Sequence, residues 1–413
     1  EIMAVLRPFR AVRPVRGQAE KIAALPYDVY NREEAAEVVR KNPDSFLTVD
    51  RAETTMPDEV GTYDDAVYEK AGENLRRYLE HGMMEQEESP SFYIYELTMN
   101  GRSQTGLVGT ASVDEYDSGV IKKHELTREE KERDRIRHVD ACDANTGPIF
   151  LSYRRNEDAA VIIEQQKQAE PLYDFVSEDG IGHRVWLVND ENAVAGLVKA
   201  IGQVPNLYIA DGHHRCASAV KVAKLRREQN PGWTGDEEFN YFLCVLFPDD
   251  ELKILDYNRV VRDLNGLTEE EFLDQAQERF EVSLEKGAVR PQQKGEFGLC
   301  LGGKWYRMTV RPEFLSEDPV GALDVSVLYD NLLAPLLGIG DPRTDDRIDF
   351  VGGIRGLEEL ERRTKTDMTA AFSLYPTSIE ELMGIADAGL LMPPKSTWFE
   401  PKLRSGLFIH ELS

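Results

Sequence analysis

Positive charge is in short supply: 49 lysines and arginines stand against 75 aspartates and glutamates, leaving a formal net charge of -26 over 413 residues. A surface this negative repels DNA, RNA and anionic membranes at long range, so neither nucleic acid nor membrane is an expected partner. A small anionic ligand stays open, because arginines, lysines and helix N-termini can reverse the field inside one cleft. Cysteine is also scarce. Cys142, Cys216, Cys244 and Cys300 are far apart and form no C-x-x-C pair, which argues against a disulfide frame or a zinc ribbon and points to reduced thiols in the cytoplasm. No apolar run approaches the roughly 20 residues that cross a bilayer. The stretch Met3 to Arg10 has no apolar core followed by a small-residue cleavage site, so a secretion signal is not expected. A G-x-x-x-x-G-K-[ST] loop, a kinase-type glycine-rich loop and an H-E-x-x-H helix are all missing, which disfavours the ordinary ATP-binding folds and gives a zinc hydrolase no ready ligand frame.

What is present is a soluble-protein balance, 41% hydrophobic and 30% charged, in a chain long enough for two or three domains. Asn31 with Glu34, Thr127 with Glu130, Thr268 with Glu271 and Ser378 with Glu381 have the spacing of helix-starting capping boxes. Asn100-Gly101 between 92–97 and 105–110 is a strong hairpin signal. Gly302-Gly303 marks a second hairpin, within 297–310. Strands and helices alternate without repeats or flexible linkers. The pattern predicts a mixed α/β (α+β) protein, with an N-terminal domain over 1–238 and a C-terminal α/β domain over 239–413 packed on it.

The most informative segment is Ile209-Ala210-Asp211-Gly212-His213-His214-Arg215. A strand, Leu207 to Ile209, runs into a turn, and a helix follows from Cys216. Gly212 lets the backbone come close to a ligand, and the free N–H groups of the helix start favour an anion. Arg215 offers a planar fork for phosphate oxygens, and His213 and His214 add donors. Asp211 would repel phosphate unless it orients a histidine, holds Mg²⁺ or takes a proton. Asp-Gly alone is ordinary turn chemistry, but two histidines and an arginine in the same turn rarely serve a core.

A second cluster lies upstream. His124-Glu125 precedes a charged helix, where the pair can supply a general base with its orienting partner or a metal ligand. On that helix Lys131, Arg135 and His138 share a face, which also suits a solvated, salt-bridged surface. Asp28, after Pro26-Tyr27, is a third candidate or a local turn residue. Lys395, Thr397 and Lys402 sit in a proline-rich loop stiff enough to present them to a ligand, or pinned to the surface by Trp398 and Phe399.

These segments together resemble the bacterial and archaeal family labelled domain of unknown function 1015. The resemblance runs through Arg7-Pro8-Phe9-Arg10, Leu25-Pro26-Tyr27-Asp28-Val29, His124-Glu125 with Lys131, Asp134 and Arg135, Asn145 with Pro148-Ile149-Phe150, Ala210 to Arg215, and Met392 to Phe399. Thr146-Gly147 stands where members usually have Ser or Leu after the asparagine. The Asp-Gly-His-His-Arg turn also resembles the phosphate-binding signature of the ParB/sulfiredoxin superfamily, which includes free serine kinases. That likeness implies a ParB/sulfiredoxin-like phosphate-binding core, a nucleotide (ATP or ADP) with Mg²⁺, and serine or phosphoserine as substrate. Members of the longer family are often associated with phosphoserine aminotransferase, which points the same way, to serine metabolism. The expected chemistry is then phosphoryl transfer. Gly212, His213, His214, Arg215, Lys131, Arg135, Lys395 and Thr397 would hold phosphate, Asp211 would assist with metal, and Asp28, His124 or Glu125 would handle the proton. A metal-dependent hydrolase built on His124, Glu125, Asp211, His213 and His214, and a non-catalytic nucleotide-binding regulator, are the alternatives.

Overall fold

Asn100 and Gly101 both take positive φ, 50° and 77°, the backbone a two-residue turn needs to match the twist of its strands. The turn sets Met99 opposite Arg102 and builds a long antiparallel hairpin. Around it, in a computed structural model describing residues 2–413, a nine-stranded sheet forms. Its strands are β1 (Leu6–Arg7), β2 (Phe92–Met99), β3 (Arg102–Ser112), β4 (Ile121–Lys122), β5 (Ile149–Tyr153), β6 (Tyr173–Val176), β7 (Gly182–Val188), β8 (Leu207–Asp211) and β9 (Tyr241–Pro248). They run in the order β4-β8-β5-β9-β3-β2-β7-β6, with β1 added on β3. The pairs β4–β8 and β5–β9 are parallel and the others antiparallel. The chain is a mixed α/β protein.

Two helices flank the later site, α1 (Asp65–Glu80) and α2 (Glu129–Cys142), and three more, α3 (Glu157–Gln166), α4 (Glu191–Ile201) and α5 (His213–Gln229), cover one face of the sheet. Leu107, Leu151, Ile209 and Leu246 from the strands meet Ile163, Leu197 and Val220 from these helices in one apolar core. Phe46, Leu47, Leu75 and Tyr78 form a second core with Cys142, Ala144 and Ile409. Three of the four capping boxes are present, at Asn31, Thr268 and Ser378. The fourth is not. Arg128 occupies the N-cap of α2, because the Thr127 hydroxyl donates to Glu132, which also receives the Lys221 ammonium. The helix capped by Thr268 ends at Ala276, and a strand opens at Phe280.

The chain divides into two units, Glu1–Leu252 with Pro401–Ser413, and Lys253–Glu400. The division falls later than 238/239 because Tyr241–Pro248 is an interior strand of the first sheet, hydrogen-bonded to both β3 and β5. Its apolar run could not reveal which sheet it joins. The second unit holds an antiparallel sheet of β10 (Tyr257–Val261), β11 (Phe280–Glu285), β12 (Glu296–Leu301), β13 (Lys304–Val310), β14 (Ile348–Gly352) and β15 (Ala370–Leu374), in the order β11-β13-β12-β15-β10-β14. Helix α6 (Gly356–Thr366) sets Leu360 among Val260, Val351 and Ala371. No helix among the described residues is long and apolar enough to cross a membrane.

Candidate functional site

The strand β8 breaks register as it leaves the sheet. Ile209 faces Leu151 and Asp211 faces Phe150, so Ala210 is an extra residue that re-aims the chain end. Gly212 then turns at φ 92°, a left-handed conformation that glycine adopts without a Cβ penalty. Helix α5 starts at His213, so its first N–H groups lie at the loop, where they attract an anion. Asp211 does not face this charge alone. Lys402 Nζ donates to its Oδ2 at 3.1 Å and the Gly212 N–H to its Oδ1 at 2.9 Å. Burial pushes its carboxyl up, but Lys402, Arg215 and the Gly212 N–H outweigh that and hold it below the usual range. His214 Nε2 accepts the Arg128 N–H at 3.1 Å, which places a neutral ring's proton on Nδ1.

Beside the loop, within the first unit, lies a cavity of about 640 Å³, a size suited to a ligand of nucleotide dimensions. It brings together Asp28, Lys131, Arg135 and His214 from three distant segments. Arg135 is buried, donates twice to Asp134 at 2.7 and 3.0 Å, and lies 3.7 Å over the Tyr27 ring. Arg215 approaches the same ring at 5.7 Å and donates to the Pro148 carbonyl at 3.1 Å. The two guanidiniums meet again in a small adjoining recess lined by Asp50, His138, Asn145, Thr146 and Gly147. Arg215 makes no close ion pair among the described residues, although its charge acts on Asp211 nearby, and its only hydrogen bond there is to a neutral carbonyl. Thr146 donates to Asp50 at 2.9 Å. At Gly147 a Cβ would come within 2.7 Å of Ser405 Oγ and 3.2 Å of Arg215 Nη1, so the absent side chain leaves Arg215 its place. His138 Nε2–H donates to the Val49 carbonyl, 3.0 Å away; burial and the Arg135 charge lower its pKa.

Three residues assemble separately. His124, Glu125 and His213 each offer a ligand atom within 4.8 Å of the others. Glu125 lies 3.9 Å from His124 Nε2 and 3.6 Å from His213 Nδ1. The rings are edge to face at 4.4 Å, and the His124 N–H reaches His213 Nε2 at 3.3 Å. Burial lowers the His124 pKa to about 4 and that of His213 well below its ordinary value, so both are neutral at pH 7. Asp211, expected as a metal ligand, is outside this group and tied to Lys402. Among the cavity carboxylates, Asp134 is occupied by Arg135 and Tyr68 and Asp50 by Thr146, while Asp28 is exposed.

A model of the family described as "Protein of unknown function (DUF1015)" matches residues 6–326. The chain belongs to the DUF1015 family. No curated protein matches this DUF1015 member. Solved structures similar to it include a free serine kinase in complex with AMP (16% identity, TM-score 0.34, 71% of this chain and 86% of that one). A conserved hypothetical protein from Pyrococcus furiosus is similar too (15%, 0.34, 72% and 93%), as is a C-terminally truncated SbnI from Staphylococcus aureus (12%, 0.36, 71% and 82%).

In this DUF1015 protein Lys395 and Thr397 belong to the second unit. Lys395 is exposed at φ 59° with its ammonium 6.0 Å over the Tyr257 ring. Lys402 belongs to the first unit and reaches Asp211. Sequence reasoning did not select Asp50, Arg51, Glu53 or Tyr68 as cavity residues. None carries a motif, and only the approach of 50–53 to α1 and α2 makes them neighbours.

Proposed function

We propose that the first unit binds a nucleotide in the 640 Å³ cavity and transfers its phosphoryl group to or from a small amino acid, serine or phosphoserine. The observation that carries this reading is the convergence of Arg135 and Arg215 on Tyr27 beside the start of α5. Two fixed guanidiniums and a row of unpaired N–H groups form a preorganised site for the charge spread over a transferring phosphoryl group. The exposed Lys131 and the Nδ1–H of a neutral His214 add donors at the cavity wall. Asp28 receives the proton of the attacking hydroxyl. Bound Mg²⁺ would neutralise phosphate charge, held through the phosphate oxygens and water. The choice of serine rests on the Asp-Gly-His-x-Arg signature carried by Asp211 to Arg215.

The test is direct. The protein is incubated with serine, ATP and Mg²⁺, and in the reverse direction with phosphoserine and ADP, while phosphoserine is followed. Transfer is expected, and Arg215→Ala should lower kcat/KM by about 100-fold, the size of losing one charge-assisted phosphate contact of roughly 3 kcal/mol. Nucleotide binding without exchange in either pairing would remove the reading.

A further inference from the structure

We propose that His124, Glu125 and His213 form a binding site for one divalent first-row transition ion, with Zn²⁺ as the reference ion, distinct from any Mg²⁺ that accompanies a nucleotide. Two imidazoles and one carboxylate are a donor set that suits zinc and its neighbours and suits Mg²⁺ poorly. The spacing is close to what coordination needs. Ligands about 2.0–2.1 Å from a tetrahedral ion stand about 3.3 Å apart, and the Glu125 oxygens already lie 3.6 and 3.9 Å from the two ring nitrogens. Those two contacts use different oxygens, and the three ligand atoms lie within 4.8 Å of one another, so closing the triangle takes shifts of up to about 1.5 Å, the size of a side-chain rotamer adjustment.

His124 is the second observation. The side chain is fully buried, and beyond a weak approach to the Ile209 backbone neither Nδ1 nor Nε2 makes a well-formed hydrogen bond among the described residues. Leaving an imidazole orphaned in the interior costs a few kcal/mol, and an ion between His124 and His213 satisfies it.

His213 must change tautomer. With Nε2 accepting the His124 N–H, its own proton sits on Nδ1, toward Glu125. Coordination through Nδ1 moves that proton to Nε2 and gives up the long 3.3 Å contact, with no net proton released by the ring. The helix start and Lys123 oppose a cation here, and Glu125 and Asp211 favour it. The Glu125 side chain is 37% exposed, so the ion's remaining position opens to solvent and the ion can exchange. Asp211 and His214 are not ligands, since Lys402 holds the first and the Arg128 N–H the second.

The full chain, stripped with a chelator and dialysed against Zn²⁺, should retain one equivalent by mass spectrometry of the metal. Co²⁺ in its place should give the visible absorption of a low-coordinate nitrogen–oxygen site, and histidine ring ¹⁵N shifts should report the His213 tautomer change. Glu125→Gln keeps size and fold and should weaken Zn²⁺ binding at least 10-fold. His124→Gln should do the same, while Asp211→Asn and His214→Gln should keep the stoichiometry. No tight equivalent in the unaltered protein, or full retention in Glu125→Gln and His124→Gln alike, overturns the site. The metal count is independent of phosphoserine formation, so failure here leaves the phosphoryl-transfer reading standing, and the reverse.

Discussion

Burial decides what the two histidines beside Glu125 can do. Burial pushes His124 down to about 4, only partly countered by the Asp211 charge and the Ile209 backbone. A histidine whose folded pKa is depressed binds its proton more readily in the unfolded chain. Its contribution is therefore complete above pH 6.5 and is lost as pH falls toward 4. His213, shifted the same way, adds to the slope. Stability should then fall by on the order of 1 kcal/mol per pH unit for each ring below pH 6.5, and His124→Gln should flatten the curve. Denaturant titrations from pH 7 to 4.5 read this, and parallel slopes in both proteins would sink it. The sequence made His124, Glu125 and His213 visible as chemistry-bearing residues, because histidines next to a turn are uncommon. It did not sort them. Their division between a cavity holding His214 and a cluster holding His213 follows from α5 turning adjacent side chains to different sides, which no spacing in the chain displays.

At the scale of elements, the loop works because β8 slips one residue at Ala210 and Gly212 turns left-handed into α5. A Cβ at Gly212 would meet nothing closer than 4.0 Å, so a substitution there is strained by φ alone. Gly212→Ala should cost about 1–2 kcal/mol, and Gly212→Asn less, since asparagine tolerates this region. Thermal melts check the order. Gly147 is the opposite case, limited by space. Gly147→Ala should displace Arg215 and cost roughly 1–3 kcal/mol of overpacking, with nucleotide binding lost alongside. Titration of a nucleotide into that variant, with the fold checked by circular dichroism, measures it. Local signals such as Asn100-Gly101 and the Asn31–Glu34 box were legible because the residues that make them are neighbours in sequence. The Thr127 cap was not, because Glu132 is itself claimed by Lys221, 89 residues further on.

Over the whole chain, the boundary between the units hides in an ordinary-looking place because the last residues return to the first unit. Ala24 and Ser405 exchange two backbone hydrogen bonds, of 3.1 and 2.8 Å, and Val12 and Ile409 exchange two more, of 3.0 and 2.8 Å. His410 pairs with Asn145 in a short ladder, and its ring also contacts the Asn145 amide oxygen at 2.8 Å. Leu407, Phe408 and Ile409 are completely buried. At about 1.5–3 kcal/mol per buried side chain their removal costs roughly 5–9 kcal/mol, as much as the whole stability of many domains. Lys402 adds a consequence for the proposed site, since without it the Asp211 carboxylate keeps only Arg215 and the Gly212 N–H to offset it. A chain ending at Glu400 should therefore lose the first unit's cooperative melt, and a Lys402→Met variant of the full chain should keep it while binding nucleotide more weakly. Hydrogen exchange around Val12, Ala24 and Asn145 separates the two effects. If those amides stay protected in the truncated chain, the tail is an accessory to the first unit and not part of its fold.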